Sequence, residues 1–317
     1  MPIHIITNQI FMLGILVIIG LVVSGLKIIT PVTKDFLARI IFNITLPAML
    51  FTNFSRIDLT PRLLGNSLLC LILSVAVLFF MLAIGWVTSG ILRLKPGDSG
   101  IFRIHSMLGN IMYLGFPVIY SLFGNEGLLY ASIFALVSNI LMWTVGVMTI
   151  SSGRERSFAE NLKHVLNPNS IAIVAGFVLF LFSFKIPKIL LDPISGLGAS
   201  NTYLSMLYIG SVIFFASIRK MIGNKSIYFI ALNKMILVPL VLVGIFFLLN
   251  STLAVKIDTM VISVLVMQAA MPCMVNVVIL ANYLGEDDNL ATANVFLTTI
   301  LSIVTLPLIL LSLRLLS

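Results

Sequence analysis

Two prolines stand in the middle of long apolar stretches, each within a cluster of small and polar residues. The clusters are Gly109-Asn110-Ile111-Met112-Tyr113-Leu114-Gly115-Phe116-Pro117 and Gln268-Ala269-Ala270-Met271-Pro272-Cys273-Met274-Val275-Asn276. A proline inside a helix removes an amide donor and clashes with the carbonyl four residues earlier. A helix through either cluster would therefore free the carbonyl of Tyr113 or of Gln268. Free backbone groups at membrane depth persist only where protein or a water-filled cavity meets them. The half-helix that restarts beyond a break presents unpaired amides and the positive end of its dipole, which favours an anion. Asn110, Gln268 and Asn276 would add neutral hydrogen bonds that select shape without burying a counter-charge, and a carboxylate or another small anion is the natural guest. Each of these side chains alone reads equally well as an interhelical hydrogen bond, and each proline alone as a kink held by its neighbours. A third polar break, Asn43-Ile44-Thr45-Leu46-Pro47-Ala48, either lines the same cavity or is a packing kink.

Other chemistries lack their residues. All eleven carboxylates, from Asp35 to Asp288, fall in breaks or at the ends of apolar segments. Proton pumps and many cation antiporters rely on intramembrane Asp or Glu relays, so a carboxylate-based cation exchanger is disfavoured. His4, His105 and His164 read as solvated or interfacial, Lys234 as a cation snorkelling from within an apolar segment, and Asn139 and Asn294 as helix packing. Cys70 and Cys273 lie in apolar segments and read as small buried hydrophobes, with neither a disulfide nor a metal site expected. Nucleotide-binding glycine motifs, a zinc-protease HExxH and a serine elbow are all missing, so the chain is not expected to be an enzyme.

The elements that would position these residues are set by the solvent. With 60% apolar and 9% charged residues over 317 positions and a mean hydropathy of +1.16, the expected fold class is an all-α integral membrane protein. The net charge of +8 comes from Lys and Arg in short breaks and not on one polar face, which speaks against nucleic acid as a partner. A spanning helix needs about 20 apolar residues. Ten such segments are expected, at 5–28, 36–54, 64–92, 103–123, 127–151, 168–190, 200–218, 227–249, 259–284 and 289–315.

Orientation follows from the basic residues. With the N-terminus outside, the cytoplasmic breaks hold Lys27, Lys34, Arg39, Arg93, Lys95, Arg103, Arg154, Arg156, Lys163, Arg219, Lys220 and Lys225. The outer side holds Arg56, Arg62, Lys185, Lys188, Lys256 and Arg314. The positive-inside rule thus places both termini outside, although the break Glu286-Asp287-Asp288 would then be cytoplasmic without a basic residue. The polar stretch from Ser151 to Asn167 divides the segments five and five, and an odd number per half forces the second half to be inverted. The halves are 1–160 and 161–317. A shift of 155 residues superposes Pro117 on Pro272 and Asn139 on Asn294. Phe158, Leu162 and Val165 at helical spacing suit either an amphipathic surface helix or a solvated connector.

At Asn43 to Ala48, at Gly109 to Pro117 with Gly124-Asn125-Glu126-Gly127, and at Gln268 to Pro272 with Asn282-Tyr283-Leu284-Gly285, the chain resembles the auxin efflux carrier family. Prokaryotic members of that family include malate and malonate permeases. The resemblance implies ten helices in two inverted five-helix repeats, with helices four and nine broken at prolines and crossing at the substrate site, a fold similar to that of bile acid sodium symporters. It gives Asn110 as the carboxylate-contacting asparagine and Gly115, Pro117 and Pro272 as crossover residues. Gln268, Asn276 and Asn43 join Asn110 as substrate-binding candidates. It also assigns segments one, two, six and seven to a scaffold and dimer side. The central loop is short where many plant carriers have a long one, so an organic acid smaller than auxin is expected. The implied function is a permease of mono- or dicarboxylates, multi-pass in the cell membrane and working by alternating access. An anion channel or solute receptor of the same fold is the rival. No cofactor is expected, H+ or Na+ as coupling ion is left open, and the partners are the organic anion and the lipid bilayer, with a homodimer open.

Overall fold

Three of the helices begin where the sequence sets a side-chain acceptor ahead of proline or an apolar run. The Thr30 hydroxyl accepts from the Thr33 amide at 3.3 Å while the Thr33 hydroxyl accepts from the Thr30 amide at 2.7 Å, with Pro31 in the first turn. Asn167 accepts from the amides of Asn169 and Ser170, each at 3.1 Å, ahead of Pro168. Asp258 accepts from Met260 at 2.9 Å. Such caps satisfy amides that the first turn leaves unpaired.

A computed structural model describes residues 3–54, 60–150, 166–182, 184, 186–215, 225–252, 256–284 and 289–313. In chain order the elements are α1 (Ile3–Gly25), α2 (Pro31–Ile40) running through a π turn (Ile41–Thr45) into α3 (Leu46–Phe54), α4 (Pro61–Ile91) and α5 (Pro96–Met107). A π turn (Ile111–Gly115) leads into α6 (Phe116–Leu141), and another (Met142–Gly146) into α7 (Val147–Ile150). Then follow α8 (Pro168–Leu181), α9 (Lys188–Phe215), α10 (Ser226–Leu232) with a π turn (Asn233–Leu237) into α11 (Val238–Thr252), α12 (Thr259–Ala269), α13 (Val275–Tyr283) and α14 (Asn289–Ser312). Among the described residues the fold is all-helical, with one isolated backbone bridge.

Five continuous helical runs among the described residues are long and apolar enough to cross a membrane: Pro31–Asn53, Pro61–Ile91, Ile111–Ile150, Ser226–Thr252 and Asn289–Ser312. Shorter apolar helices occupy Phe11–Gly25, Pro168–Leu181 and Thr259–Ala269. Large apolar side chains such as Phe11, Ile18, Ile72, Val87, Phe247, Leu248, Ile303 and Val304 point outward. Contiguous apolar exposure of this kind mismatches water and matches lipid. The surface-helix reading of Arg154 to Val165, His164 and the Glu286-Asp287-Asp288 break lie outside the described residues.

Proline placement follows one rule at three points. The π turns at Ile41–Thr45, Ile111–Gly115 and Asn233–Leu237 are each followed, two residues on, by Pro47, Pro117 or Pro239. The amides of Leu46 and Val238, just before two of these prolines, reach back five residues to the carbonyls of Ile41 and Asn233. The wider turn gives room where the proline ring would otherwise meet the preceding turn. Pro117 consequently sits inside a continuing helix. The break in the fourth apolar segment lies earlier, at Leu108–Asn110, which corrects the expectation of a break at Pro117. In the ninth segment the break spans Met271–Met274 and includes Pro272, as expected. The observed breaks therefore do not follow the 155-residue register. Gly124, at φ +63°, interrupts α6 and separates the fourth and fifth segments.

The chain packs as two compact units. Unit one comprises Met1–Leu69, Met112–Leu136 and Leu166–Ala216, and unit two comprises Cys70–Ile111, Val137–Val165 and Ser217–Ser317. Each unit draws on both sequence halves. In unit one, α1 lies against α9 so closely that a Cβ at Gly210 would collide with the Val17 carbonyl, and one at Gly20 with the Leu207 carbonyl. Close backbone approach through small residues is a common way to pack helices in lipid. Thr45 donates to Asn201 at 3.0 Å, and Tyr113 packs against Tyr208 with ring centroids 5.2 Å apart. In unit two, Ile101, Ile227, Ala281 and Leu290 form one apolar cluster and Phe102, Ile230, Cys273 and Val295 another. The Arg103 guanidinium lies 3.6 Å above the Trp86 ring.

Candidate substrate-binding site

Within unit two, α5 and α12 both stop short, and their breaks meet. Leu108 is extended at φ −96°, ψ 128°. Gly109 pairs with Cys273 in an antiparallel bridge, and the Asn110 amide donates to the Pro272 carbonyl at 2.6 Å. The position needs glycine for close approach, since a Cβ at Gly109 would stand 3.1 Å from the Met271 Cβ and 3.2 Å from its carbonyl oxygen. Backbone pairing thus supplies hydrogen bonds that two interrupted helices would otherwise lack in lipid.

His105 of α5 and side chains from two further elements fix this crossing. The Asn294 side-chain amide on α14 lies 3.2 Å from Nδ1 of His105, whose Nε2 lies 3.2 Å from the Met274 carbonyl. With Asn294 donating to Nδ1, the proton sits on Nε2 and is donated to Met274. The Thr298 hydroxyl accepts from the Cys273 amide at 2.9 Å and donates to the Asn294 carbonyl at 2.6 Å. Lys234, in the π turn after α10, donates through Nζ to the Ser106 carbonyl at 3.2 Å. That π turn is anchored by Asn233, whose side-chain amide donates to Thr88 at 2.8 Å.

Two of the side chains singled out by sequence are buried here with unmet hydrogen bonds. Asn110 is 2% exposed and Gln268 1% exposed. Asn110 Nδ2 and both polar atoms of the Gln268 side chain have no protein partner, and neither has Asn294 Oδ1. Pro272 lies in the same crossing, and Asn276 is half-buried in the first turn of α13. The remaining candidates belong to unit one. Gly115 and Pro117 are buried there, whereas Asn43 is exposed and donates its side-chain amide to the Arg39 carbonyl at 3.0 Å. Unit one also contains a cavity of about 40 Å³ lined by residues including Asn53, Tyr120, Asn125 and Thr202, room for a few waters.

Two sequence readings are corrected. Lys234 does not snorkel; it is 0% exposed, because the break in α5 leaves it a carbonyl to bind inside the unit. His105 is not interfacial; it is also 0% exposed and joins α5 to the second break and to α14. The available signal for Lys234 was a single cation inside a long apolar helix with no acidic residue nearby in sequence. Thr298 carried no such signal. Asn294 makes the interhelical hydrogen bond expected of it and also faces the crossing. Cys70 and Cys273 are both buried, and the Cys70 thiol lies 3.9 Å from the Ser74 hydroxyl.

Arranged in this way, the crossing offers neutral donors and acceptors, the amino end of α13 and a buried ammonium. Among the described residues, none of the hydrogen bonds of the crossing joins a thiol or hydroxyl to the His105 ring or the Lys234 ammonium. Comparison with known proteins places the chain among membrane transporters. Residues 5–310 match the family described as membrane transport protein, which is the auxin efflux carrier-like family that the sequence motifs resemble. A protein of Methanothermobacter thermautotrophicus named "Uncharacterized transporter" is 25% identical over 95% of this chain and 96% of its own length. A second, from Methanocaldococcus jannaschii and also named as a transporter, is 23% identical over 93% of this chain and 94% of its own. The chain belongs to the membrane transport protein family.

Proposed function

We propose that the protein is a secondary carrier of small organic anions, mono- or dicarboxylates, across the cell membrane by alternating access. The observation that carries this reading is the set of buried polar atoms without protein partners beside the paired breaks: Asn110 Nδ2, Gln268 Nε2 and Gln268 Oε1. A buried donor left unmet costs about 1–3 kcal/mol, and the bilayer offers it no replacement. A carboxylate accepting from both amides would recover that loss through charge-assisted hydrogen bonds, which are roughly twice as strong as neutral ones. Gln268 Oε1 and Asn294 Oδ1 remain as acceptors for a hydroxyl or a protonated second carboxyl. The nearby start of α13 adds a favourable dipole for negative charge.

The architecture proposed for this carrier is ten spanning segments in two inverted five-helix halves, 1–160 and 161–317. The composition of the two units supports it, since each draws on both halves. Segments one, two, six and seven fall in unit one, which the reading makes the scaffold and the side for a homodimer. Both termini are placed outside on the distribution of Lys and Arg.

Thermal unfolding of the purified protein against acetate, lactate, malonate, malate and succinate tests the proposal, with buffer composition otherwise fixed. A ligand at about one hundred times its Kd stabilises the folded state by about 2.7 kcal/mol, so one acid or a related pair should raise Tm selectively. Reconstituted protein should then show uptake of that labelled acid accelerated by unlabelled acid inside the vesicle. A flat panel overturns the organic-anion reading, and uptake without exchange acceleration overturns the carrier in favour of a channel.

A further inference from the structure

Lys234 is a buried cation that no carboxylate neutralises among the described residues. Its ammonium donates to the Ser106 carbonyl, and it lies within electrostatic reach of His105 and Cys273, both in the crossing. The reason that carbonyl is available is specific to the break. In an uninterrupted helix the Asn110 amide would return to Ser106, but here it crosses to Pro272. Ser106 is therefore left at the carbonyl end of α5, where the helix dipole is negative and a cation is favoured. An ammonium has three donors, and Ser106 takes one. Charged groups this deep in a membrane protein are costly unless paired and are usually functional. The other side chains that tie the crossing together, His105, Asn294 and Thr298, are neutral donors and acceptors that bring no negative charge.

We propose that Lys234 is the resident cation of the crossing. It caps α5 and supplies the positive charge against which an anionic ligand is held beside Asn110 and Gln268, so that anion binding needs no metal cation. The idea rests on the organic-anion reading above and adds to it the source of charge compensation. A single carboxylate then makes the loaded crossing electrically neutral, whereas a dicarboxylate leaves one negative charge to be met by a proton or by the amino end of α13.

The test uses the full-length purified protein and titrates lactate and malonate in sodium chloride and in choline chloride buffers of equal strength. Wild-type affinity should be the same within threefold in both salts. Lys234→Met keeps the length of the side chain without its charge and should weaken binding by about 30-fold or more, as expected when one member of a buried charge pair is removed. Lys234→Arg should retain more affinity than Lys234→Met. Wild-type binding that requires sodium overturns the inference, as does binding by Lys234→Met equal to wild type. The sodium comparison needs no variant and can overturn the inference even if Lys234→Met does not fold. Failure of the wild type to bind either acid, or any other in the panel, is a different result: it overturns the organic-anion reading itself and this inference with it.

Discussion

Asn43, Asn53, Asn169 and Asn201 of unit one each donate a side-chain amide to a protein neighbour: the carbonyls of Arg39, Asn125 and Phe42 and the Met49 thioether, respectively. Asn110 and Gln268 of unit two are as deeply buried as most of these, yet their amide donors meet no protein acceptor. Asn233 and Asn294 of unit two also tie helices, so the contrast lies with the two amides at the crossing and not with the residue type. In unit one Asn53, Asn169 and Asn201 tie separate elements together, and the π turn ahead of Pro47 lets α2 continue into α3. In unit two two helices are interrupted outright, their backbones pair across the gap, and the adjoining amides are left for something other than protein. Polar residues in a membrane helix identify a site only when their hydrogen bonds are followed to a partner.

The largest effect expected from a single change falls on the tight packing of unit one. A leucine at Gly210 would drive its side chain into the Val17 carbonyl and the backbone of α1. Overpacking of this kind costs about 3 kcal/mol, and Tm should fall accordingly, while the protein that remains folded keeps its affinity for the acid. Equal stability of Gly210→Leu and wild type would show that α1 and α9 are not in close register.

Next comes the crossing. Asn110→Ala should weaken acid binding by about 30-fold, or roughly 2 kcal/mol, the value of a hydrogen bond to a charged group, with little change in Tm without ligand. Calorimetric titration reads both numbers. Gln268→Met should separate function from stability still more clearly. Replacing two unmet buried polar atoms by an apolar chain of similar volume should raise the stability of the unliganded protein by about 1 kcal/mol while binding is lost. A drop in stability would mean that Gln268 is a structural tie after all. The smallest effect belongs to Asn43→Ala, an exposed position whose recorded bond is to its own helix, with a change within about 0.5 kcal/mol. A tenfold loss of acid affinity there would bring Asn43 into the site and erase the contrast between the two regions.

Much of this was legible in the residues themselves. An apolar chain with its charges in the breaks specifies helices in lipid, because each backbone group must find its partner within the segment. Pro272 marked a break correctly, as it falls where α12 ends. Pro117 did not, since the π turn ahead of it absorbs the ring, and the true break at Leu108–Asn110 is set by pairing with Cys273, a tertiary contact with no local signature. Asn110 and Gln268 stood out because polar side chains deep in apolar segments are few. The roles of His105 and Lys234 were hidden for a different reason. Position along a helix gives depth in the membrane but not the face a side chain takes, nor the free carbonyl that a distant break provides.

The most direct measurement is calorimetric titration of lactate and malonate into the purified wild-type protein and into Asn110→Ala, in one buffer and at one temperature. Saturable binding of an acid by the wild type, weakened about 30-fold in a variant that remains folded, is the result expected if the unmet amides at the crossing hold an organic anion. Binding that is the same in both proteins, or a wild type that binds neither these acids nor any other in the panel, would contradict it.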